Sequence, residues 1–338
     1  LLSSATFHAP EACTRAVYKG EDGLVMTGRS MDFRDDIPAN LWVLPRGISR
    51  DGRVGPNSLK WTSKYGSLVA TSFDIASVDG MNEKGLVGNM LWLTVSKYPE
   101  LDGRRPGMAV SIWLQYMLDN FASVKEAVEA VSKEEFVVVS SVIPGTDKFT
   151  TVHLSLSDAT GDNAILEYID GKLTIHHDPS YTVMTNEPSF DQQLAINEYW
   201  KSVDGRAMLP GTSRGSDRFA RASYYLSILP KTSDPQLAVA KTFSVIRNCS
   251  VPIGVNTGAV NISTTQWRTV ADHKNLRYYF ESAQSPNVIW TDLQKLDFRV
   301  GAPVRKLDVG HRYAFSGDVS DRYQTAKPFE FAALPGTN

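Results

Sequence analysis

A thiol, a guanidinium and a carboxylate stand close together near the start of this 338-residue chain: Cys13, then Arg29 and Asp32 within Gly28-Arg29-Ser30-Met31-Asp32. A cysteine acts as a nucleophile through its thiolate, and a neighbouring cation lowers the thiol pKa. The pattern therefore admits covalent catalysis, although an arginine and an aspartate at a strand end also make ordinary surface ion pairs. The second cysteine, Cys249, closes a helical stretch at 236–249 and reads as a small core residue. Two cysteines supply neither a disulfide framework nor a metal spacing.

Other motifs lead away from chemistry. Gly211-Thr212-Ser213-Arg214-Gly215 matches a nucleophile elbow formally, but Pro210 precedes it and no apolar strand leads in. The six histidines offer no paired zinc spacing. His176 and His177 are adjacent on a strand and point to opposite faces, and His153 reads as a surface residue on the polar face of its strand. No phosphate-cradling glycine loop is present, so no cofactor and no metal are expected. Net charge is −2, which advertises no basic face for nucleic acid or anionic membrane. No apolar run reaches the roughly 20 residues of a membrane span. With 42% hydrophobic and 21% charged residues, the chain has the composition of a globular protein.

The elements that must position the trio follow from periodicity. Residues 13–18 and 24–30 read as strands around the charged, glycine-bearing turn 19–23, and this hairpin folds Arg29 and Asp32 back beside Cys13. Strands are expected at 67–78 and 85–95 around a turn at 79–85, where Asn82 caps the bend. Helices are expected at 107–119 and 124–133. A β-branched run at 136–143 leads into an antiparallel meander at 151–156, 164–169 and 173–176. Helices return at 192–200, 217–229 and 236–249, and strands at 266–271, 276–281 and 288–290 close the pattern. Strands in blocks and helices in blocks imply an α+β fold of two packed sheets with helices outside. No linker or repeat is visible, so one domain is expected over 13–338. Residues 1–12 read as a signal remnant, with Ser3 and Ala5 suiting signal peptidase, or as a flexible tail or propeptide.

Five motifs occur in order: Ala12-Cys13-Thr14-Arg15, Gly28-Arg29-Ser30-Met31-Asp32, Asp79-Gly80-Met81-Asn82-Glu83-Lys84-Gly85-Leu86, Thr185-Asn186-Glu187-Pro188 and Ser216-Asp217-Arg218-Phe219. Together they resemble the choloylglycine hydrolase family, which includes bile salt hydrolases and penicillin V acylases. The resemblance implies an N-terminal nucleophile hydrolase with a four-layer αββα sandwich of two antiparallel sheets. It implies Cys13 as the nucleophile, its freed α-amine as the base, Asp32 orienting that amine, Arg29 beside the sulfur, and Arg218 completing the charge network. Asn186 and the backbone N–H of Trp92 are expected to hold the oxyanion. An aromatic residue at the place of Trp92 resembles the penicillin V acylases, and Phe33 and Trp42 are expected to add rings to an acyl pocket. The short interval from Asn186 to Arg218 resembles the exported Gram-negative branch, which implies a periplasmic or secreted bacterial enzyme. Its expected partner is a small-molecule amide, penicillin V or an acyl-homoserine lactone. A conjugated bile salt is the alternative, and a non-catalytic ligand-binding protein on the same fold is a further one. A homo-oligomer, a tetramer by the resemblance, is also expected.

Overall fold

The computed structural model describes residues 13–34, 36–142, 149–255, 263–310 and 312–336. Residues 1–12, read above as signal remnant or propeptide, lie outside them, as does the end of the run expected at 136–143.

Among the described residues, two large sheets carry the fold. The first runs Val183–Thr185, Thr14–Lys19, Val25–Phe33, Thr264–Asp272, Arg277–Ser282, Val288–Asp292 and Gly317–Asp318, antiparallel but for its last pair. The second is antiparallel throughout and centres on Val87–Trp92, with Val152–Ser157, Asn163–Ile169 and Lys172–His177 on one side and Ala76–Asn82, Ser67–Ser72, Asn40–Leu44 and Arg305–Asp308 on the other. One core lies between them, joining Ala16, Met31 and Phe280 of the first sheet to Leu41, Met81 and Leu91 of the second. Helices Phe190–Val203, Gly215–Ile228 and Pro235–Cys249 belong to the outer side of the first sheet, where Val239 and Phe243 pack on Tyr18 and Met26. Helices Trp113–Asn120 and Val124–Val131 cover the second, through Trp113, Leu114 and Leu118. The expected αββα sandwich is present.

Gly28 shows why the site-bearing strand needs its glycine. A Cβ there would lie 2.7 Å from both Ile246 and Thr242, so only glycine lets the helix Pro235–Cys249 press against the strand one residue before Arg29.

Several expectations are corrected. The strand expected at 67–78 is a hairpin, broken at Phe73 and Asp74, both at positive φ. Asp79 to Asn82 then belong to a strand, and the turn begins at Glu83. Asn82 does cap it, accepting from the backbone N–H groups of Lys84 and Leu86 while donating to the carbonyls of Leu118 and Phe121. The expected helix at 107–119 starts late: Gly107–Ala109 is a short strand parallel to Val137–Val139, and the α-helix begins at Trp113. His153 is not on the surface. It is buried and pairs at 2.9 Å with buried Glu167, which also accepts the backbone N–H of Phe190. Both faces of this central sheet are covered, so alternation does not separate core from solvent.

His273 ties the sheets together: its ring meets the Thr27 hydroxyl at 2.7 Å and the Gly85 carbonyl at 2.7 Å. Burial pushes its pKa down from 6.5 to about 4. The unfolded chain therefore binds this proton between pH 6.5 and 4 while the native chain does not, and stability falls as pH drops through that window, by up to about 3 kcal/mol. Asp32, raised to about 6, contributes with the opposite sign. Denaturant melts of wild type and His273→Gln at pH 7 and pH 4.5 isolate the histidine: the gap between the two proteins is expected to narrow on acidification, and a constant gap contradicts it.

Candidate active site

Strand register builds the site. Thr14 pairs with Ser30 on one side and with Thr185 on the other, so the next step along each strand brings Cys13 beside Met31 and opposite Asn186. Alternation along Val25–Phe33 sends Arg29, Met31 and Phe33 to one face and Ser30 and Asp32 to the other. The Cys13 sulfur is buried at this sheet end. The Asp32 backbone N–H reaches it at 3.4 Å, Arg29 Nη2 lies at 3.7 Å, and Met31 Sδ is 3.8 Å away.

Arg29 is held from several directions. It donates to the Met90 carbonyl at 3.1 Å, touches Met31 Sδ at 2.9 Å, and stacks over the Trp267 ring at 4.5 Å. Its Nη1 lies 3.8 Å from Asp79 Oδ2. Asp79 comes from the opposite sheet and accepts from Tyr278, Asn89 and Thr269, so a polar bridge crosses the core directly beneath the thiol.

Arg218 sits in the first turn of Gly215–Ile228, fully buried. It donates to the Cys13 carbonyl, to the Thr14 hydroxyl at 2.7 Å and to Asn186 Oδ1 at 2.9 Å, while its Nε holds the Ser213 carbonyl at 2.8 Å. Gly215 makes this docking possible: a Cβ there would fall 2.3 Å from the Glu187 carbonyl oxygen. Asn186 Nδ2 donates to the Trp92 carbonyl at 2.8 Å. With Oδ1 committed to Arg218 and Nδ2 to Trp92, the amide cannot flip, and its second N–H hydrogen remains for an incoming oxygen. Ser213, the formal nucleophile of the elbow-like motif, is exposed on the loop before this helix, as its weak context implied.

Electrostatics refine the expected role of Arg29. Burial raises the Cys13 pKa; Arg29, the Asp32 backbone N–H and Arg218 pull it down without cancelling the rise. The resting group is a thiol, so deprotonation requires a base. Burial likewise lifts Asp32 to about 6, against Arg218, Thr265 and Arg29. Neither carboxylate oxygen of Asp32 has a hydrogen-bond partner of good geometry among the described residues. Arg218 itself is lowered by burial.

The thiol opens into a cleft whose walls include Met31, Phe33, Phe73, Val78, Trp92 and Val152. Phe33 and Trp92 are where the sequence places them. Trp42 is not: its indole donates to Asp74 at 2.7 Å, and its ring packs on Phe329 in the layer beneath the helix Trp113–Asn120. The inward aromatic missed by sequence is Phe73.

The model of the linear amide C–N hydrolases, choloylglycine hydrolase family, matches residues 13–307. The chain belongs to this family. It is 47% identical to the penicillin V acylase of Pectobacterium atrosepticum, over 96% of this chain and 93% of that protein. The solved penicillin V acylase from Agrobacterium tumefaciens is 53% identical and superposes with a TM-score of 0.89, covering 95% of this chain and all of the other. A variant of conjugated bile acid hydrolase from Clostridium perfringens shares the fold at a TM-score of 0.77 with 22% identity, over 90% of this chain and 99% of that one. As a choloylglycine hydrolase family member, the chain is a hydrolase of linear amide C–N bonds.

Two residues around the thiol escaped sequence reading. Asp79 reads as a turn residue in the sequence, but it is a buried carboxylate within the strand Ala76–Asn82. Met31 lay inside a quoted motif without a role. It shares the face of Arg29 and Phe33, a relation that period-two counting exposes.

Proposed function

We propose that this chain is a penicillin V acylase-like amidohydrolase whose nucleophile is Cys13 once that residue carries a free α-amine. The carrying observation is a buried thiol at the floor of an apolar, ring-lined cleft, in register with Asn186. In the proposed mechanism the α-amine takes the thiol proton and sulfur attacks the amide carbonyl carbon. Asn186 Nδ2 receives the oxyanion together with the Trp92 backbone N–H; one such donor typically supplies roughly 3–4 kcal/mol of transition-state stabilisation. The C–N bond breaks, the amine departs with the proton, and water hydrolyses the thioester to acid and free thiol. Asp32, whose two buried carboxylate oxygens have no hydrogen-bond partner of good geometry among the described residues, has the acceptors to hold the α-amine.

The cleft also bears on the substrate. Its rings suit a phenoxyacetyl or fatty acyl group. Among the described lining residues the only cation is Arg29, already engaged beside the sulfur. The carboxylate of 6-aminopenicillanic acid and that of glycine meet the same lining, so discrimination falls to the acyl group, where a flat ring or a fatty chain fits better than the steroid of a bile conjugate. Relative kcat/KM on penicillin V, a long-chain acyl-homoserine lactone and glycocholate tests this. Glycocholate is expected to be the poorest by about tenfold or more, and a preference for it overturns the reading. The resemblance to the exported Gram-negative branch supports a periplasmic or secreted location, and the resemblance to the family at large supports a homo-oligomer. Cell fractionation and light scattering of the purified protein test these two.

A further inference from the structure

The hairpin turn Phe73-Asp74-Ile75 is built against its own backbone preference. Phe73 has φ 53° and Asp74 φ 52°, consecutive non-glycine residues in the left-handed region, and for a ring as large as Phe73 this is a marked outlier. Asp74 tolerates the conformation better, as short polar side chains do. Such geometry persists only where the surroundings over-determine it, and it concentrates at ligand clamps.

Here the surroundings are specific. The half-buried Asp74 carboxylate accepts four hydrogen bonds, two on each oxygen. Oδ1 takes Trp42 Nε1 at 2.7 Å and Thr71 Oγ1 at 2.6 Å; Oδ2 takes Asn40 Nδ2 at 2.7 Å and Lys306 Nζ at 2.9 Å. Three neighbouring strands, those of Asn40–Leu44, Ser67–Ser72 and Arg305–Asp308, converge on one side chain. The backbone is tied as well: Phe73 N–H donates to Pro38 and the Ile75 carbonyl accepts from Ala332. The two residues flanking this anchor, Phe73 and Ile75, both line the cleft that holds Cys13. Phe73 is 44% exposed, so burial of its own ring does not explain the strained turn.

We propose that Asp74 is a positioning residue for acyl specificity: it clamps the strained turn so that Phe73 stands as a fixed wall of the acyl cleft. This rests on the reading of Cys13 as the amidase nucleophile of that cleft. Trp42 then contributes to substrate selection at one remove, as a donor to the clamp rather than as a ring in the pocket. A fixed ring discriminates by acyl size, because only an acyl group large enough to reach it gains from its being held in place.

The test compares N-phenoxyacetyl and N-acetyl amides of the same amine in wild type, Asp74→Ala, Asp74→Asn, Phe73→Ala and the double variant Phe73→Ala/Asp74→Ala. Asp74→Ala is expected to raise KM for the phenoxyacetyl amide about tenfold, with kcat and the acetyl substrate within about twofold of wild type. Asp74→Asn, which keeps an acceptor and tolerates the left-handed turn, is expected to restore most of the difference. In the Phe73→Ala background, removing Asp74 is expected to add nothing further. Equal losses on both acyl groups, or independent addition of the two substitutions, overturns the clamp. Phenoxyacetate titrated by tryptophan fluorescence gives the same comparison without turnover, with Asp74→Ala binding it about tenfold more weakly than wild type. If wild type hydrolyses neither amide, the amidase reading fails while this titration still decides the clamp. Should Asp74→Ala not fold, Asp74→Asn and Lys306→Met in wild-type and Phe73→Ala backgrounds carry the same cycle.

Discussion

A chain whose Ala12–Cys13 bond remains intact is expected to hydrolyse amides at least about 10³-fold more slowly than one that begins at Cys13. The reasoning rests on which atoms reach the sulfur. Among the described residues its hydrogen-bonding neighbours are the Asp32 backbone, Arg29 and Met31, and none of these is a base. Burial holds the thiol above its ordinary pKa, so the resting group at pH 7 is the protonated thiol. The Asp32 carboxylate makes no hydrogen bond to the sulfur, and alternation aims it to the other face of its strand. A peptide nitrogen at Cys13 has no lone pair available to accept a proton. A free α-amine, titrating near pH 8, does, and it also supplies donors for the Asp32 carboxylate, whose oxygens lack a partner of good geometry among the described residues. Intact mass and turnover measured on the same preparations decide the matter: activity is expected to follow the fraction starting at Cys13. Comparable turnover by protein that retains Ala12 sinks the mechanism. Asp32→Asn is expected to behave like a partly processed enzyme, mature in mass but slow, since an amide holds the amine without balancing its charge.

The legible and illegible parts of this site divide along a physical line. Cys13, Arg29 and Asp32 are joined by one short hairpin, and hairpin register follows from the turn and the alternating pattern. Their meeting was therefore readable from local sequence. Asn186 and Arg218 lie far along the chain, and only the motif resemblance connected them to Cys13; no periodicity predicts that Val183–Thr185 adds to the edge of the first strand. Trp42, Asp79 and His153 were misplaced for a common reason. Each sits on the second sheet, which is covered by the first sheet on one face and by helices on the other. Strands covered on both faces lose the period-two signature that separates inside from outside, so polar residues there read as turns or surface when they are bridges. The block order of strands and helices survived this loss, because it depends on segment lengths and breakers rather than on which face is wet. The break at Phe73-Asp74 did not, since Phe73 is no turn former in type and the Asp74 carboxylate is held by four donors, three of them from strands distant in the chain.

Arg218→Met is expected to lower kcat by roughly 10²–10³ while changing KM little, the signature of an interaction that matters most in the transition state. The arginine touches no substrate-lining surface of the cleft; it orders the groups that do. One guanidinium spans the Cys13 carbonyl, the Thr14 hydroxyl and Asn186 Oδ1, and through the last of these it fixes the amide so that Nδ2 faces the Trp92 carbonyl and the oxyanion position. Methionine fills a similar volume yet leaves three buried acceptors without a donor, so a stability loss of about 3–5 kcal/mol accompanies the kinetic one. Lysine at 218 keeps the charge but not the fork, and it can serve one acceptor well rather than three in fixed geometry. Arg218→Lys is accordingly expected to recover stability more fully than kcat. The two readouts separate positioning from folding: a variant as stable as wild type but slow places Arg218 in the orientation of Asn186. An Arg218→Lys enzyme with full kcat shows instead that Asn186 keeps its orientation without the guanidinium fork, through its donation to the Trp92 carbonyl alone.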